Sequence, residues 1–360
     1  MTMDPAHGTI GGEEPDARDL QKDNFADVGG DAQPHQEPRR VNNDPRANKQ
    51  KGNQPRRDRR DVHGWVVLDK PIGMTSTQAV AVLKRLFQAK RAGHAGTLDP
   101  LASGVLPIAL GEATKTVSFV MEGRKVYHFT VRWGEERDTD DAEGRITAVS
   151  AERPSADAIS AALPRFVGQI TQVPPRFSAI KIDGERAYDL ARDGEPVEIA
   201  PRLVEIHRLE LIETADQDHT KFMAECGKGT YVRALARDLG RTLGCLGHVA
   251  ALRRTAVGPF GEDVGVSLDV LQHPLRPDDA AAAERAALLP VEAGLAALPA
   301  LRVSSADAGR LARGQAVLLR GRDAPVMAGW VAVSSQGALI ALAEVEKGEL
   351  RPRRIFNLPR

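Results

Sequence analysis

The sequence predicts a mixed α/β fold followed by a small, mostly β unit. Short segments in which apolar and polar residues alternate, such as 126–133, are typical of strands. The apolar spacing in 229–243 is instead that of an amphipathic helix. Near the C-terminal end the chain alternates in 329–333 and again in 338–344, with turns between, and this pattern favours a small β-barrel.

Residues 1–60 differ in composition from the rest and are predicted to form a disordered polar extension. Residues 1–31 carry eight acidic and two basic residues, whereas 32–60 carry three acidic and nine basic ones. With a single aromatic residue, the segment cannot bury enough apolar surface to offset its ordering entropy. The zero net charge of the 360-residue chain is therefore a sum of segments of opposite sign, and it does not argue against an RNA partner.

The rest of the chain divides into three predicted segments. A first domain covers 61–260. A helical connector covers 261–300, where the sequence becomes rich in Ala, Leu, Asp and Pro. The final segment, 301–360, carries ten basic and five acidic residues.

The first domain begins with an apolar strand at 64–70, which a proline turn closes. Thr75 precedes Gln78 by three residues, a capping-box pattern that predicts a helix through Phe87. Later elements are predicted as a helix at 155–166 and strands at 169–182 and 203–212.

The composition also excludes several classes of protein. Cys226 and Cys245 are nineteen residues apart with no zinc-ligand pattern around them, so a disulfide scaffold or structural metal is not expected. No secretory signal is visible, and apolar runs such as 105–110 are too short to cross a bilayer. The acidic run at Asp138 fails as a calcium loop because Val149 occupies the position that requires Glu. We therefore expect a cytoplasmic protein with no membrane partner.

The loop 91–106 is the richest candidate for chemistry. Its glycines and proline surround a single His and a single Asp, Asp99. Five basic residues and no acidic one lie between Lys70 and Leu98, and such surroundings favour the ionised carboxylate that a nucleophile or base requires. From these residues alone, Asp99 could equally cap or turn the chain.

Five segments in order resemble the bacterial TruB-type tRNA pseudouridine synthases. They are GWVVLDKPIGMTST at 64–77, GHAGTLDPLASGVL at 93–106, the Arg-Asp-Thr-Asp-Asp region within 127–144, VPPRFSAIKIDGERAYDLARDG at 173–194 and GKGTYVR at 227–233. The resemblance covers about 62–257. The segment from 301 resembles the small RNA-binding (PUA) barrel of that family.

This resemblance implies a pseudouridine synthase fold, with a largely antiparallel central sheet. It implies conversion of uridine to pseudouridine in the T-loop of tRNA, at position 55 in tRNA numbering, with no cofactor, no metal and no required protein partner, by a monomer. Two alternatives stay open. One is a guide-RNA-dependent enzyme that acts on ribosomal RNA, and the other is a tRNA-folding chaperone whose catalysis is incidental.

The resemblance also implies roles for individual residues. Asp99 is the essential carboxylate, Arg233 pairs with it, and Tyr127 stacks on the target base. Tyr231 and Leu252 line the uracil pocket.

Three further residues are implied to act around this site. His94 packs into the RNA loop where the flipped base had been. Lys70 and Pro71 support the active-site loop. The segment 174–194 is implied to close over the RNA.

Overall fold

The computed structural model describes residues 59–178, 181–182, 185–186, 199–273, 280–319 and 327–359. The extension predicted at 1–60 lies outside these ranges except for its last two residues. The segment predicted to close over RNA, 174–194, also lies mostly outside them.

Strands account for most of the regular structure in the described residues. In chain order they are β1 (Gly64–Lys70), β2 (Ala92–His94), β3 (Ala102–Leu110), β4 (Lys125–Trp133), β5 (Glu135–Arg137), β6 (Ile146–Val149), β7 (Gly168–Gln172), β8 (Lys181–Ile182), β9 (Glu185–Arg186), β10 (Arg202–Thr214), β11 (His219–Cys226), β12 (Gly247–Val257), β13 (Phe260–Gly261), β14 (Val266–Ser267), β15 (Ala300–Arg302), β16 (Val317–Leu318), β17 (Gly329–Ser335), β18 (Ala338–Glu346) and β19 (Glu349–Ile355).

The α-helices lie between these strands. They are α1 (Ser76–Leu86), α2 (Val117–Glu122), α3 (Ala156–Ala162), α4 (Val232–Thr242), α5 (Leu268–Gln272), α6 (Ala280–Ala287) and α7 (Ser305–Ala312). The capping box predicted at the start of α1 is present. The Thr75 side chain accepts from the Gln78 backbone, and the Gln78 side chain accepts from the Thr75 backbone.

A mixed sheet of ten strands forms the first domain, in the order β14-β1-β3-β12-β4-β11-β10-β7, with β2 beside β3 and β13 beside β12. Only β3 with β12 and β1 with β14 pair in parallel. The predicted mixed, largely antiparallel sheet is thus confirmed. Because β12 lies between β3 and β4, the loop before β3 and the start of β4 meet at the same place in the sheet.

One face of this sheet packs against α1 and α4. Leu83 of α1 and Leu235 of α4 share a buried apolar cluster with Phe129 and Phe222 of the sheet. The alternation predicted for 126–133 reflects this packing, since Phe129, Val131 and Trp133 are buried on that side.

The C-terminal part forms a curled five-stranded sheet in the order β15-β17-β18-β19-β16. Its Leu342 and Phe356 share an apolar cluster with Trp65 of β1. Lys115 donates to the carbonyl of Ile355 at 2.7 Å. The C-terminal sheet therefore packs against the first domain through both apolar and polar contacts.

The structure adds elements that the sequence analysis did not predict. The segment 261–300, predicted as a helical connector, contains α5 and α6 but also β14, which extends the main sheet beside β1. The strand predicted at 169–182 ends at Gln172, and prolines follow at 174 and 175, where a strand would lose its backbone donors. The domain boundaries at 260 and 300 stay predictions. Within the described residues, no helix is long and apolar enough to span a membrane.

Candidate active site

The loop that carries Asp99 is fixed from both sides. The Ser76 hydroxyl accepts from the backbone N–H of Leu98 at 2.8 Å and lies 3.0 Å from the Leu98 carbonyl, to which it can donate. From β12, the guanidinium of Arg254 donates to three carbonyls on either side of Asp99, those of Gly96, Thr97 and Val105. Asp99 therefore lies on a backbone path that its neighbours determine.

Positive φ angles, and at one position close packing against Arg254, explain two of the glycines in this loop. Gly96 and Gly104 have φ angles of 100° and 102°, which favour glycine. A Cβ on Gly104 would overlap the carbonyl oxygen of Arg254, where β3 and β12 lie side by side.

Arg233 of α4 reaches Asp99 from the opposite side. Its Nε lies 2.9 Å from Asp99 Oδ2, within ion-pair distance, although the N–H is not aligned as in a hydrogen bond. Its Nη1 lies 3.3 Å from Asp141 Oδ2 and donates to the Thr139 carbonyl. Its Nη2 donates to the Phe177 carbonyl. One buried guanidinium thus connects Asp99 to two other loops.

A second arginine lies one helical turn further along α4. Arg237 Nη1 is 2.8 Å from Asp140 Oδ2, its Nε is 2.8 Å from Asp238 Oδ1, and its Nη2 donates to the Val173 carbonyl. Burial raises the pKa of Asp140 to about 6, while the nearby arginines Arg237 and Arg233 act in the opposite direction. The two arginines and their carboxylates form one network behind Asp99.

A cavity of about 270 Å³ opens beside Asp99. Tyr127, Tyr231 and Leu252 line it together with Arg233. Burial raises the pKa values of both tyrosine hydroxyls. The Gln172 side chain fixes the backbone of Tyr231 by two hydrogen bonds, at 2.8 and 3.1 Å. Five of the eight residues singled out in the sequence therefore meet at one cavity, whose aromatic and carboxylate groups suit a planar base.

The other three residues do not line this cavity. The buried Lys70 ammonium donates to the carbonyls of Pro71 and Met74, both at 2.8 Å, and contacts that of Pro100 at 3.4 Å. Burial lowers its pKa to about 8. Lys70 therefore contacts the loop next to Asp99 rather than the cavity, and the exposed Pro71 contacts the Lys70 ammonium through its carbonyl.

His94 lies on β2, paired with Ile108 of β3. Burial lowers the pKa of its imidazole, with a smaller contribution from Arg254, and this favours the neutral ring. Its Nδ1 is buried and has no hydrogen-bond partner among the described residues. In the same residues, no three His, Cys, Asp or Glu side chains converge as metal ligands.

Comparisons with known proteins identify the family. The N-terminal domain model of the TruB family of pseudouridylate synthases matches residues 84–232. The C-terminal domain model of tRNA pseudouridylate synthase B matches 233–296, and that of pseudouridine synthase II TruB matches 299–356. The chain belongs to the TruB family. The resemblance seen in the sequence is confirmed.

Named TruB-family relatives are similar over nearly their whole length. The tRNA pseudouridine synthase B of Bradyrhizobium diazoefficiens is 72% identical and covers 92% of this chain and 96% of its own. That of Rhodopseudomonas palustris is 69% identical over 89% of this chain and 88% of its own. That of Agrobacterium fabrum is 55% identical over 83% of this chain and 96% of its own.

A solved structure is similar in fold. It is described as an H/ACA RNP bound to a substrate RNA containing 2'-deoxyuridine. Its matching chain is 26% identical, with a TM-score of 0.64 over 82% of this chain and 86% of that one.

Sequence reasoning missed several residues around this TruB-family site. Arg254, Arg237 and Lys125 are buried basic residues at or next to the cavity, and nothing in their local sequence distinguished them from surface residues. Asp140 and Asp141 belong to the Arg-Asp-Thr-Asp-Asp region that carried part of the resemblance, and this was the available signal.

Proposed function

We propose that this TruB-family enzyme converts a uridine in the T-loop of tRNA into pseudouridine, with Asp99 as the essential carboxylate. The observation that carries the proposal is the ion pair of Asp99 with Arg233 at a cavity lined by Tyr127. The relatives at 55–72% identity, all named tRNA pseudouridine synthase B, support tRNA as the substrate.

The reaction is an isomerisation, so its atoms balance without a co-reactant. The bond between C1' of the ribose and N1 of uracil breaks, the base turns, and C5 bonds to C1'. A proton leaves C5, and N1 regains one. Asp99 serves this sequence by attacking the base, by attacking the sugar, or by abstracting a sugar proton. Each of the three routes requires an ionised carboxylate close to the glycosidic bond.

Arg233 orients Asp99, because its guanidinium lies within ion-pair distance of the carboxylate. Asp99 retains about a third of its side-chain exposure, so an incoming nucleotide can reach it.

The target base must leave its stack to enter the cavity, which costs a few kcal/mol. Tyr127 offers an aromatic face on which the base stacks, a contact worth about 1–3 kcal/mol. Tyr231 and Leu252 close the remaining walls. His94 fills the position in the RNA loop that the base vacates, and Lys70 and Pro71 support the loop of Asp99.

The enzyme acts as a monomer in the cytoplasm, where its tRNA substrate is found, and requires no protein partner. The guide-RNA-dependent alternative has less support. The solved structure described as an RNP is 26% identical to this chain, whereas the relatives named for tRNA are 55–72% identical.

The test is to map pseudouridine in unmodified tRNA transcripts and in an isolated T-arm hairpin after incubation with the purified chain alone. We expect modification of one T-loop uridine in both RNAs, and none when that uridine is replaced by cytidine. Modification that requires a guide RNA or an added protein would contradict the proposal, as would modification at other positions only.

A further inference from the structure

Lys125 is a buried lysine beside the candidate active site. It is the first residue of β4 and lies two residues before Tyr127, so both side chains project from the same face of the strand. Lys125 is 7% exposed and lines the same cavity as Asp99 and Tyr127.

The contacts of Lys125 leave part of its ammonium group unused. Nζ donates to the carbonyl of Met121 and, at 2.6 Å, to that of Gly123, at the end of α2. An ammonium carries three N–H donors, and within the described ranges the third has no acceptor. No carboxylate of these ranges lies within ion-pair distance of it.

The other buried cations at the cavity are held by more contacts than Lys125. Arg233 faces Asp99 and Asp141, and Arg254 donates to three loop carbonyls. Lys228 is two-thirds exposed and pairs with Glu122. Lys125 is thus a buried cation of the cavity that pairs with no carboxylate of the described residues and keeps a free donor among them. Burial lowers its pKa and Arg254 lowers it further, while Cys226 opposes this, so the charge is held there at an energetic cost.

All three routes open to Asp99 place negative charge on the uracil. When the C1'–N1 bond breaks, its electron pair stays on N1 and spreads to the O2 and O4 carbonyl oxygens. When a carboxylate adds to the ring instead, the electrons move to O4. A fixed cation in a largely dry cavity stabilises such charge far better than water does.

We propose that Lys125 donates its free N–H to a uracil carbonyl oxygen and stabilises the negative charge that the base carries while it is detached or attacked. This inference rests on the proposed function. No atom is exchanged with Lys125. Its ammonium keeps all its protons. The negative charge on the base is neutralised when C5 bonds to C1', after which the C5 proton leaves and N1 gains one.

The variants Lys125→Gln and Lys125→Arg test this role. Single-turnover rates of pseudouridine formation at saturating protein report the chemical step, and the Kd for tRNA and the Tm are measured in parallel. We expect Lys125→Gln to lower the rate on the order of 10²-fold with little change in tRNA Kd. Lys125→Arg, which keeps the charge, should recover part of the rate. Lys221→Gln is the matched control, because Lys221 lies on the exposed surface and pairs with Glu213.

The pH profile separates this role from a structural one. The groups facing Lys125 are Glu122, Cys226, Lys228, Arg254 and Tyr127. Burial raises the pKa values of Cys226, to about 11, and Tyr127, so neither loses a proton near neutral pH. Lys70, with a pKa lowered to about 8, contributes the same alkaline change to every variant.

We therefore expect the wild-type rate to fall at alkaline pH as Lys125 loses its proton. This part of the fall should be absent in Lys125→Arg and Lys125→Gln, which have no lysine at this position. Equal profiles for all three proteins would overturn the proposal, as would a loss confined to tRNA Kd or to Tm. If Lys125→Gln does not fold, the profiles of wild type and Lys125→Arg decide. The proposed function fails on a different observation, namely that the wild type alone forms no pseudouridine in the T-loop of tRNA.

Discussion

The two sides of the cavity hold their buried cations in different ways. On the α4 side, Arg233 and Arg237 face carboxylates, including Asp99 and Asp140. On the sheet side, Lys125 and Arg254 donate to backbone carbonyls, and neither pairs with a carboxylate of the described residues.

The different partners of these cations suit them to two different roles. A guanidinium between carboxylates balances their charge and fixes their geometry, so the α4 side determines where Asp99 lies. A cation that pairs with no carboxylate keeps its net charge, so the sheet side contributes positive charge to the cavity. The α4 side orients the reacting carboxylate, and the sheet side stabilises the negative charge that develops on the uracil.

The largest effect is expected on the α4 side, from Asp99→Asn. This change removes the reacting carboxylate while keeping its size, so pseudouridine formation should fall by at least about 10³-fold. The Kd for tRNA, measured by filter binding, should change little. Assisted folding of tRNA should survive in this variant if the protein is also a chaperone. Appreciable turnover would show that Asp99 has another role.

Arg233→Gln should have the next largest effect. It leaves Asp141, which is 2% exposed, without its cation, and removing one partner of a buried ion pair costs about 3–5 kcal/mol. We expect a clear loss of stability in denaturant unfolding and a rate lowered by about 10²-fold. Arg241→Gln is the control, because Arg241 lies on the same helix, is half exposed and pairs with Glu136. Equal effects of the two changes would refute the positioning role of Arg233.

On the sheet side, Arg254→Lys should have a smaller effect. Lysine keeps the charge but lacks the planar fork that reaches three carbonyls around Asp99. The expected result is a rate lowered about tenfold and a stability loss of about 1–3 kcal/mol. The neighbouring Arg253→Lys serves as control, since Arg253 is only partly buried and pairs with Asp69 and Glu262. A similar response from both would mean that the carbonyl contacts do not position the loop.

The smallest effect concerns Asp140 and the pH dependence of stability. Its pKa rises from 3.8 to about 6 on folding, so between these values the folded protein binds more protons than the unfolded one. The wild type should therefore lose stability relative to Asp140→Asn as pH rises from about 4 to about 6, by on the order of 2 kcal/mol. Denaturant unfolding at several pH values measures this difference. If the wild type instead gained stability relative to Asp140→Asn over this pH range, the Arg237 contact would outweigh burial in setting the pKa of Asp140.

Local patterns predicted the parts of the fold that local chemistry determines. The capping box of α1 and the alternation of β4 could be read because neighbouring residues decide them. The pairing of β14 with β1 joins residues about 200 positions apart. Because β14 has only two residues, its sequence shows no alternation from which a strand could be predicted.

The residues of the candidate site likewise fall into those that the sequence could predict and those that it could not. Asp99 and Arg233 could be singled out because each lies in a distinctive segment. Arg254 and Lys125 could not, since a basic residue in a strand looks like a surface residue until the sheet order places β12 between β3 and β4.

The most direct test of the account is the structure of the Asp99→Asn protein bound to an unmodified T-arm hairpin. The account predicts one T-loop uridine flipped into the cavity, stacked on Tyr127, with its C1' about 3.5 Å from the side chain at position 99. A uridine that stays stacked in its loop, or a flipped base held elsewhere on the protein, would contradict it.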